Sequence, residues 1–284
     1  MNVHLRKLLP LSIASLALCL SSTASAADQT KPKKTPEAKT ASLARLYPHG
    51  QRAADIMRMN VRGTTGENLG KVDDLVVDTD SGDVVYAIVS TGGVAGMGDT
   101  LRAVPFSALD YTSERRDALT LKGGNLDKWR AAPVYQENQL ARLADEAQGR
   151  QIYEYYGEAW NAVPARRADQ PTSATRNLRS AQALADADVR TGDRKIGHTE
   201  DLIVDKKTGK AAVLIDPDDA FVGNTKKYVV PFSKLTARTG DDETLATNLT
   251  AQDFSSGKAL DDSWTSSSAS SAYVWDIDPS AVAE

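Results

Sequence analysis

The sequence predicts an all-β dominated protein with two small β-barrels in tandem, joined by a helical and disordered linker. Three observations predict this fold class: a long internal repeat, strand–turn–strand patterns in each copy, and a polar, helix-forming stretch between the copies. They divide the 284-residue chain into a signal peptide (1–26), a flexible N-terminal segment (27–52), a first barrel (53–123), a helical spacer and linker (124–180), a second barrel (181–250) and a Ser-rich C-terminal tail (251–284).

The internal repeat consists of two blocks that recur in the same order, at residues 70–82 and 104–107 in the first copy and at 197–209 and 230–233 in the second. In both copies a glycine is followed eight residues later by an aspartate and four residues after that by a second glycine. Two matched blocks in one order indicate duplication of a structural unit.

Each copy reads as a series of short strands. The segment Val72–Val77 is rich in β-branched residues, and the turn that follows it ends at Gly82, where a positive φ is favoured. Equivalent segments predict the remaining strands: 84–89 and 119–121 in the first copy, and 211–215 and 244–247 in the second. Closely spaced short strands of this kind are typical of small barrels.

The stretch between the copies has helical periodicity. Leu140, Leu143, Ala144 and Ala147 form one apolar stripe, and Gly149 is predicted to end that helix. Four aromatic residues follow at similar spacing, and packing on a barrel is the favoured interpretation, with an interface as the alternative: Tyr153, Tyr155, Tyr156 and Trp160.

The first copy resembles the PRC-barrel family, named after the photosynthetic reaction centre. The resemblance rests on the run 70–78, Gly82, the segment 86–90, the glycines of 92–98 and Val104-Pro105-Phe106. The second copy keeps the glycine and aspartate frame but has an aspartate-rich segment, 216–223, in place of the glycine loop. Covering 53–123 and 181–250, the resemblance implies strongly bent barrels that act as docking surfaces and not as catalysts.

The N-terminus predicts export. Arg6 and Lys7 precede the apolar run Leu8–Leu20, and Ala24-Ser25-Ala26 supplies a small-residue cleavage site. A membrane anchor is the alternative, although the run is shorter than the ~20 residues that span a bilayer. A lipoprotein signal at Cys19 is a further alternative, although Leu18 is large for that position. Cleavage predicts a periplasmic or secreted protein without a transmembrane span.

Composition argues against several function classes. The net charge of −4 disfavours nucleic acid as a partner. The single cysteine, Cys19, lies in the predicted signal peptide, so the mature chain lacks thiol chemistry and cysteine metal ligands. Only His49 and His198 remain as histidines after cleavage, which disfavours a hydrolase and predicts no catalytic residues, no metal centre and no cofactor.

A glycine loop in the first copy is the candidate interaction site, formed by Gly92, Gly93, Gly96, Met97, Gly98 and Asp99. It lacks the spacing and the following helix of a phosphate-binding loop. An adaptable methionine at a hairpin tip suits contact with a partner, and a plain connection is the alternative.

Aspartates form the second candidate site. Asp216, Asp218 and Asp219 predict a weak cation or ligand loop. The repeated Asp78 and Asp205 are better explained as turn caps than as calcium ligands. The repeated Asp74 and Asp201 are expected to mark an outer face or to bind a neighbouring backbone amide, and shared recognition is the alternative.

These observations favour a non-enzymatic adaptor that binds other envelope proteins through its barrels. The alternative hypothesis is an envelope sensor for a small ligand or cation, which would use the cleft between the barrels or the loop 216–219.

Overall fold

The computed structural model describes residues 49–92, 99–111, 118–136, 139–160, 176–223, 226–238, 243–256 and 259–260. These residues form two curled sheets with short helices around them, which confirms the predicted fold class. The predicted signal peptide, most of the flexible segment (27–48) and the tail beyond residue 260 lie outside the described residues.

The first sheet is built from six strands of the first copy, in the order β5-β4-β3-β2-β7-β6. Their bounds are β2 Asn60–Arg62, β3 Asn68–Asp78, β4 Asp83–Thr91, β5 Thr100–Pro105, β6 Leu109–Tyr111 and β7 Ala118–Leu121. β2 and β7 pair in parallel and the other neighbours are antiparallel.

The second sheet repeats this order, as β12-β11-β10-β9-β14-β13. Its strands are β9 Asp188–Thr191, β10 Arg194–Asp205, β11 Ala211–Pro217, β12 Lys227–Pro231, β13 Leu235–Ala237 and β14 Thr244–Thr247. The single parallel pair of this set is again formed by the first and last strands, β9 and β14. The two copies therefore share one topology.

The repeated aspartates and glycines form the hairpin turns, as predicted. Asp78 Oδ1 accepts a hydrogen bond from the Asp80 amide at 3.1 Å, and Asp205 Oδ1 accepts from the Lys207 amide at 2.9 Å. Gly82 and Gly209 close these turns with φ of 75° and 72°, a region that strains residues with a Cβ. Turn chemistry accounts for these four repeated residues.

Each barrel receives a short strand from the segment that precedes the other barrel. β1, Gly50–Arg52, pairs with β10 of the second sheet, and β8, Leu178–Ser180, pairs with β3 of the first sheet. Both segments lie in regions that the sequence predicts to be flexible (27–52) or a linker (124–180). Three-residue strands have no periodicity of their own, so only the partner sheet reveals them.

The repeated Asp74 and Asp201 hold these exchanged strands. Asp201 accepts hydrogen bonds from Arg52 Nε and from the Leu202 amide, both at 2.7 Å. Asp74 accepts from the Leu75 amide at 2.8 Å and from the Ser180 hydroxyl at 2.5 Å. The expectation that they bind neighbouring amides is confirmed, and each also reaches the strand that comes from the other half of the chain.

The exchanged strands lead into matching helical turns. α1, Ala53–Ile56, follows β1, and α5, Ala181–Leu184, follows β8. The first turn of each helix also points a backbone amide at the same aspartates, from Ala54 to Asp201 at 3.4 Å and from Gln182 to Asp74 at 3.2 Å.

The hairpin tips of the two barrels also bind each other. The Val84 amide donates to the Gly209 carbonyl at 2.8 Å, and the Ala211 amide donates to the Gly82 carbonyl at 2.7 Å. The Phe232 ring lies against Gly82. The buried apolar residues of both barrels form one continuous cluster, so the halves are one packed body.

The spacer contains α2 Leu126–Ala131, α3 Leu140–Leu143 and α4 Glu146–Tyr156. Gly149 lies inside α4, so the prediction that it ends a helix is wrong. The Trp160 ring packs directly on Gly149 and leaves no space for a Cβ, which explains a glycine there. The break between α3 and α4 comes from Asp145, which caps α4 by accepting from the Gln148 amide at 3.0 Å.

The aromatic residues of α4 pack on the first barrel, as expected. Tyr153 is buried, its hydroxyl donates to the Val85 carbonyl at 3.2 Å, and its ring meets Tyr86 edge to face. Helix α4 therefore belongs to the core of the first barrel.

Helical turn α6, Asp219–Val222, follows β11, and the start of the predicted tail forms α7 Ala251–Ser256 and β15 Ala259–Leu260. The fully buried Phe254 packs on Tyr228, and β15 pairs with β12. Among the described helices, none combines the length and the apolar character that a membrane crossing requires.

Replacing Asp201 with alanine is expected to lower the free energy of unfolding by about 2 kcal/mol, because Arg52 and two backbone amides lose a buried acceptor. Urea denaturation followed by circular dichroism measures the change. The exposed Asp73→Ala is the matched control and should stay within about 0.5 kcal/mol of the natural chain. Equal stability of Asp201→Ala and Asp73→Ala would contradict the assignment.

Burial raises the pKa of Asp74 and of Asp201 above 3.8, although their hydrogen-bond donors oppose the shift. Between pH 3.8 and the raised pKa values, the folded state binds more protons than the unfolded state. The contribution of these two carboxyl groups to the free energy of unfolding therefore falls as pH rises through that window. The stability advantage of the natural chain over the double variant Asp74→Asn/Asp201→Asn should therefore be larger at about pH 4 than at about pH 7. Denaturation at both pH values tests this, and an advantage that grows with pH would contradict it.

Candidate functional site

The predicted interaction loop joins β4 to β5. Gly92 and Asp99 are its described ends, and Gly93, Gly96, Met97 and Gly98 lie outside the described residues. Thr91 and Thr100 face each other as the last pair of the hairpin. The described part of the site is therefore the base of this hairpin.

A buried tryptophan supports the hairpin base. Trp129 of α2 donates from Nε1 to Thr91 Oγ1 at 3.0 Å, and Thr91 Oγ1 donates in turn to the Leu69 carbonyl at 2.7 Å. The guanidinium of Arg102 lies over the Trp129 ring, 5.1 Å from its centroid. These contacts fix β4, β5 and α2 against one another directly below the loop.

Arg102 is a charged residue in an apolar setting. It is 7% exposed, and its Nη2 donates to the Arg130 carbonyl at 3.4 Å. Burial raises the pKa of the nearby Tyr156 hydroxyl, and the positive charge of Arg102 opposes that shift. A weakly hydrated guanidinium stacked on an aromatic ring tolerates such burial better than an ammonium would, so the arginine suits this position.

A cleft of about 150 Å³ opens beside the same hairpin, between β5 and the spacer helices. Its lining combines apolar and polar side chains: Ala103, Pro133, Val134, Tyr135, Gln139, Arg142, Leu143, Gln148 and Ile152. Val134 is 60% exposed, the most exposed large hydrophobic side chain among the described residues. An apolar floor with a polar rim can bind a side chain of a partner and orient its backbone.

The edge of β5 already binds an extended segment at this cleft. The Tyr135 amide donates to the Leu101 carbonyl at 2.7 Å, and the two residues form an isolated antiparallel bridge. Because backbone groups of a strand alternate in direction, Ala103 presents its backbone to the same side as Leu101. Ala103 itself is only 5% exposed, so the described pairing on this side of β5 is the Leu101–Tyr135 bridge.

The aspartates of the second candidate site do not converge. Asp219 is exposed, and Asp218 precedes α6, where its side chain makes no capping bond. Asp216 points instead towards His198 and Glu200 of β10, and the ligand atoms of these three residues lie within 4.8 Å of one another. The structure thus splits the predicted loop and groups Asp216 with two residues that sequence reasoning did not join.

A lysine completes this second group. Lys227 Nζ lies 2.7 Å from Glu200 Oε2 and 3.4 Å from Asp216 Oδ2. Partial burial opposes its charge, but the two carboxylates outweigh this effect and raise the pKa of Lys227 above its ordinary value. The group holds a positive charge between carboxylates.

Sequence reasoning missed the residues that build the hairpin base and the cleft. Arg102, Trp129 and Val134 belong to segments without a motif, and their contacts join residues up to 38 positions apart. Arg102 could have been noticed, since it is a charged residue within the mostly apolar strand β5. The sequence does not indicate that its guanidinium stacks on the Trp129 ring.

Replacing Thr91 with valine removes the acceptor of the buried Trp129 N–H with little change of shape. The expected loss in the free energy of unfolding is about 1–3 kcal/mol. Its cross-strand neighbour supplies the control, since Thr100→Val should change stability by less than about 0.5 kcal/mol. Urea denaturation measures both, and equal stabilities would show that the Trp129–Thr91 bond does not support the hairpin.

The family model of the PRC-barrel domain matches residues 48–127 of this chain. The matched region contains the first barrel, the first two residues of α2 and both described ends of the glycine loop. A comparison with curated proteins found no match. Over residues 48–127 the chain is therefore similar to PRC-barrel domains, and its second sheet repeats the strand order of the first.

Proposed function

We propose that this protein is an exported, non-enzymatic interaction module that binds another envelope protein at the hairpin base of its first barrel. The observation that carries the proposal is the cleft beside β5, where an exposed apolar side chain and an edge strand meet on a rigid support. The similarity of residues 48–127 to PRC-barrel domains supports a barrel with a docking role.

Export is part of the proposal and rests on the N-terminal sequence. The basic start, the apolar run Leu8–Leu20 and the small residues Ala24-Ser25-Ala26 follow the order of a secretory signal. Cleavage after Ala26 would place the two barrels in the periplasm or outside the cell, among envelope proteins.

Rigidity of the support favours tight binding. The exchanged strands β1 and β8 and the paired hairpin tips hold both barrels in one body. A surface that is ordered before binding loses less conformational entropy when a partner docks, which raises affinity without new contacts.

The proposed occupant is an extended segment of the partner with one apolar side chain. The Leu101–Tyr135 bridge supports an occupant with an extended backbone, and the exposed Val134 lines the cleft together with the buried Leu143 and Ile152. Backbone pairing would supply affinity, and the cleft would select the side chain. Pro105 ends the strand and limits the pairing to a short segment.

In-cell photocrosslinking tests the proposal. A photoreactive residue placed at Val134 of the secreted chain is expected to capture one partner reproducibly, and the captured peptide should be identified by mass spectrometry. A photoreactive residue at Leu126, the other exposed large hydrophobic among the described residues, is the matched control outside the cleft and should not capture that partner.

The substitution Val134→Glu should abolish capture of that partner in a reciprocal pull-down, whereas Leu126→Glu should leave it intact, because only Val134 lines the cleft. Both side chains are exposed, so neither change should unfold the protein. Equal capture from both positions, or capture that survives Val134→Glu, would overturn the proposed site. Retention of the unprocessed chain in the cytoplasm would overturn export.

A further inference from the structure

We propose that the second barrel binds a divalent first-row transition metal, with Zn²⁺ as the best fit, through His198, Glu200 and Asp216. One imidazole and two carboxylates form a ligand set that suits zinc. The site lies outside the cleft of the first barrel and does not depend on the proposed adaptor function.

The three ligands come from a rigid part of the sheet. His198 of β10 and Asp216 of β11 are direct cross-strand partners, and Glu200 is the extra residue of a β-bulge between Thr199 and Asp201, where it is partly exposed like His198. Thr199 between them is fully buried on the opposite face, which holds β10 in this orientation. The strands therefore place all three side chains together before any metal binds.

The distances are close to those of a metal site. The ligand atoms lie within 4.8 Å of one another, whereas ligands of a tetrahedral zinc ion with bonds near 2.1 Å are separated by about 3.4 Å. Rotations of the side chains can close this difference without moving the backbone. All three residues are partly exposed, so an ion can enter from solvent and keep water in its fourth position.

Lys227 shows that the site attracts positive charge. Its ammonium lies 2.7 Å from Glu200 and 3.4 Å from Asp216, so it stands near the position that a cation would take. A metal must displace this ammonium, which can turn outwards on its flexible stem. Lys227 is therefore a built-in competitor, and metal binding would exchange one cation for another.

The first barrel shows that the fold does not require this group. At the same register it has Lys71 opposite Ser90, with Asp73 two residues along β3. Leu101 pairs with Ser90 where the second barrel has Lys227 beside Asp216. Both barrels form the same topology, so the topology does not depend on the histidine and the two additional charged residues of the second barrel.

Titration calorimetry with ZnCl₂ on the untagged full chain tests the proposal, with Co²⁺ absorption as a second readout of tetrahedral geometry. One equivalent of Zn²⁺ is expected to bind. Removal of a direct ligand should cost more than loss of an outer-shell partner, so His198→Asn and Glu200→Gln should each weaken binding at least about 100-fold. Asp73→Asn is the matched control in the first barrel and should leave the affinity unchanged.

Removal of the Lys227 ammonium is expected to raise the Zn²⁺ affinity, whereas removal of a ligand lowers it. Lys227→Met should tighten Zn²⁺ binding at least about tenfold, because the site no longer holds an ammonium. Absence of saturable binding by the natural chain, binding that His198→Asn leaves intact, or an affinity that Lys227→Met does not raise would each overturn the proposal.

Discussion

The reciprocal exchange of β1 and β8 is the constraint on which the rest of the structure depends. Each barrel is completed by a three-residue strand from the segment before the other barrel, and Asp201 or Asp74 holds that strand in place. Each aspartate also accepts a hydrogen bond from an amide of its own strand. The aspartate at this repeat position therefore binds both its own strand and the exchanged strand. The two exchanges follow the same strand-pairing plan with different side chains, since Asp201 binds Arg52 and Asp74 binds Ser180.

Some of the repeated residues are explained by contacts between the barrels as well as by the structure of their own barrel. Gly82 and Gly209 shape their own hairpins, yet each also gives its carbonyl to the other barrel. An ion pair at 2.8 Å between Asp83 and Lys210 lies at the same contact. Residues that look like local turn chemistry in one copy are therefore also interface residues.

Differences between the copies indicate where function lies. In the first barrel Trp129 and Arg102 support the base of the β4–β5 hairpin, and α4 packs on this barrel beside an open cleft. The second barrel has a charged group on the face of β10 and β11, and β15 covers the edge of its β12. The shared topology supplies the rigid body, and we propose these unshared surfaces as its binding sites.

Much of the fold follows from local sequence patterns, whereas the candidate sites do not. The hairpins at Gly82 and Gly209, the strands around them and the helical spacer are predictable, because β-branched runs, turn residues and helical stripes act over short distances. β1 and β8 are not predictable, since three residues gain their structure only from a distant sheet. The prediction that Gly149 ends a helix is wrong because the glycine is required by the packing of the Trp160 ring and not by a helix end. The grouping of His198 with Asp216 requires the register of two strands, which no single segment contains.

Hydrogen exchange with mass spectrometry tests most directly whether the two barrels are one body. The core amides of β3 and β10 are expected to open together, with the same free energy of opening, because each strand is paired with a segment from the other half. Asp201→Ala is expected to lower the protection of both strands. Two different opening free energies, or a loss of protection confined to β10, would show instead that the barrels fold as independent domains.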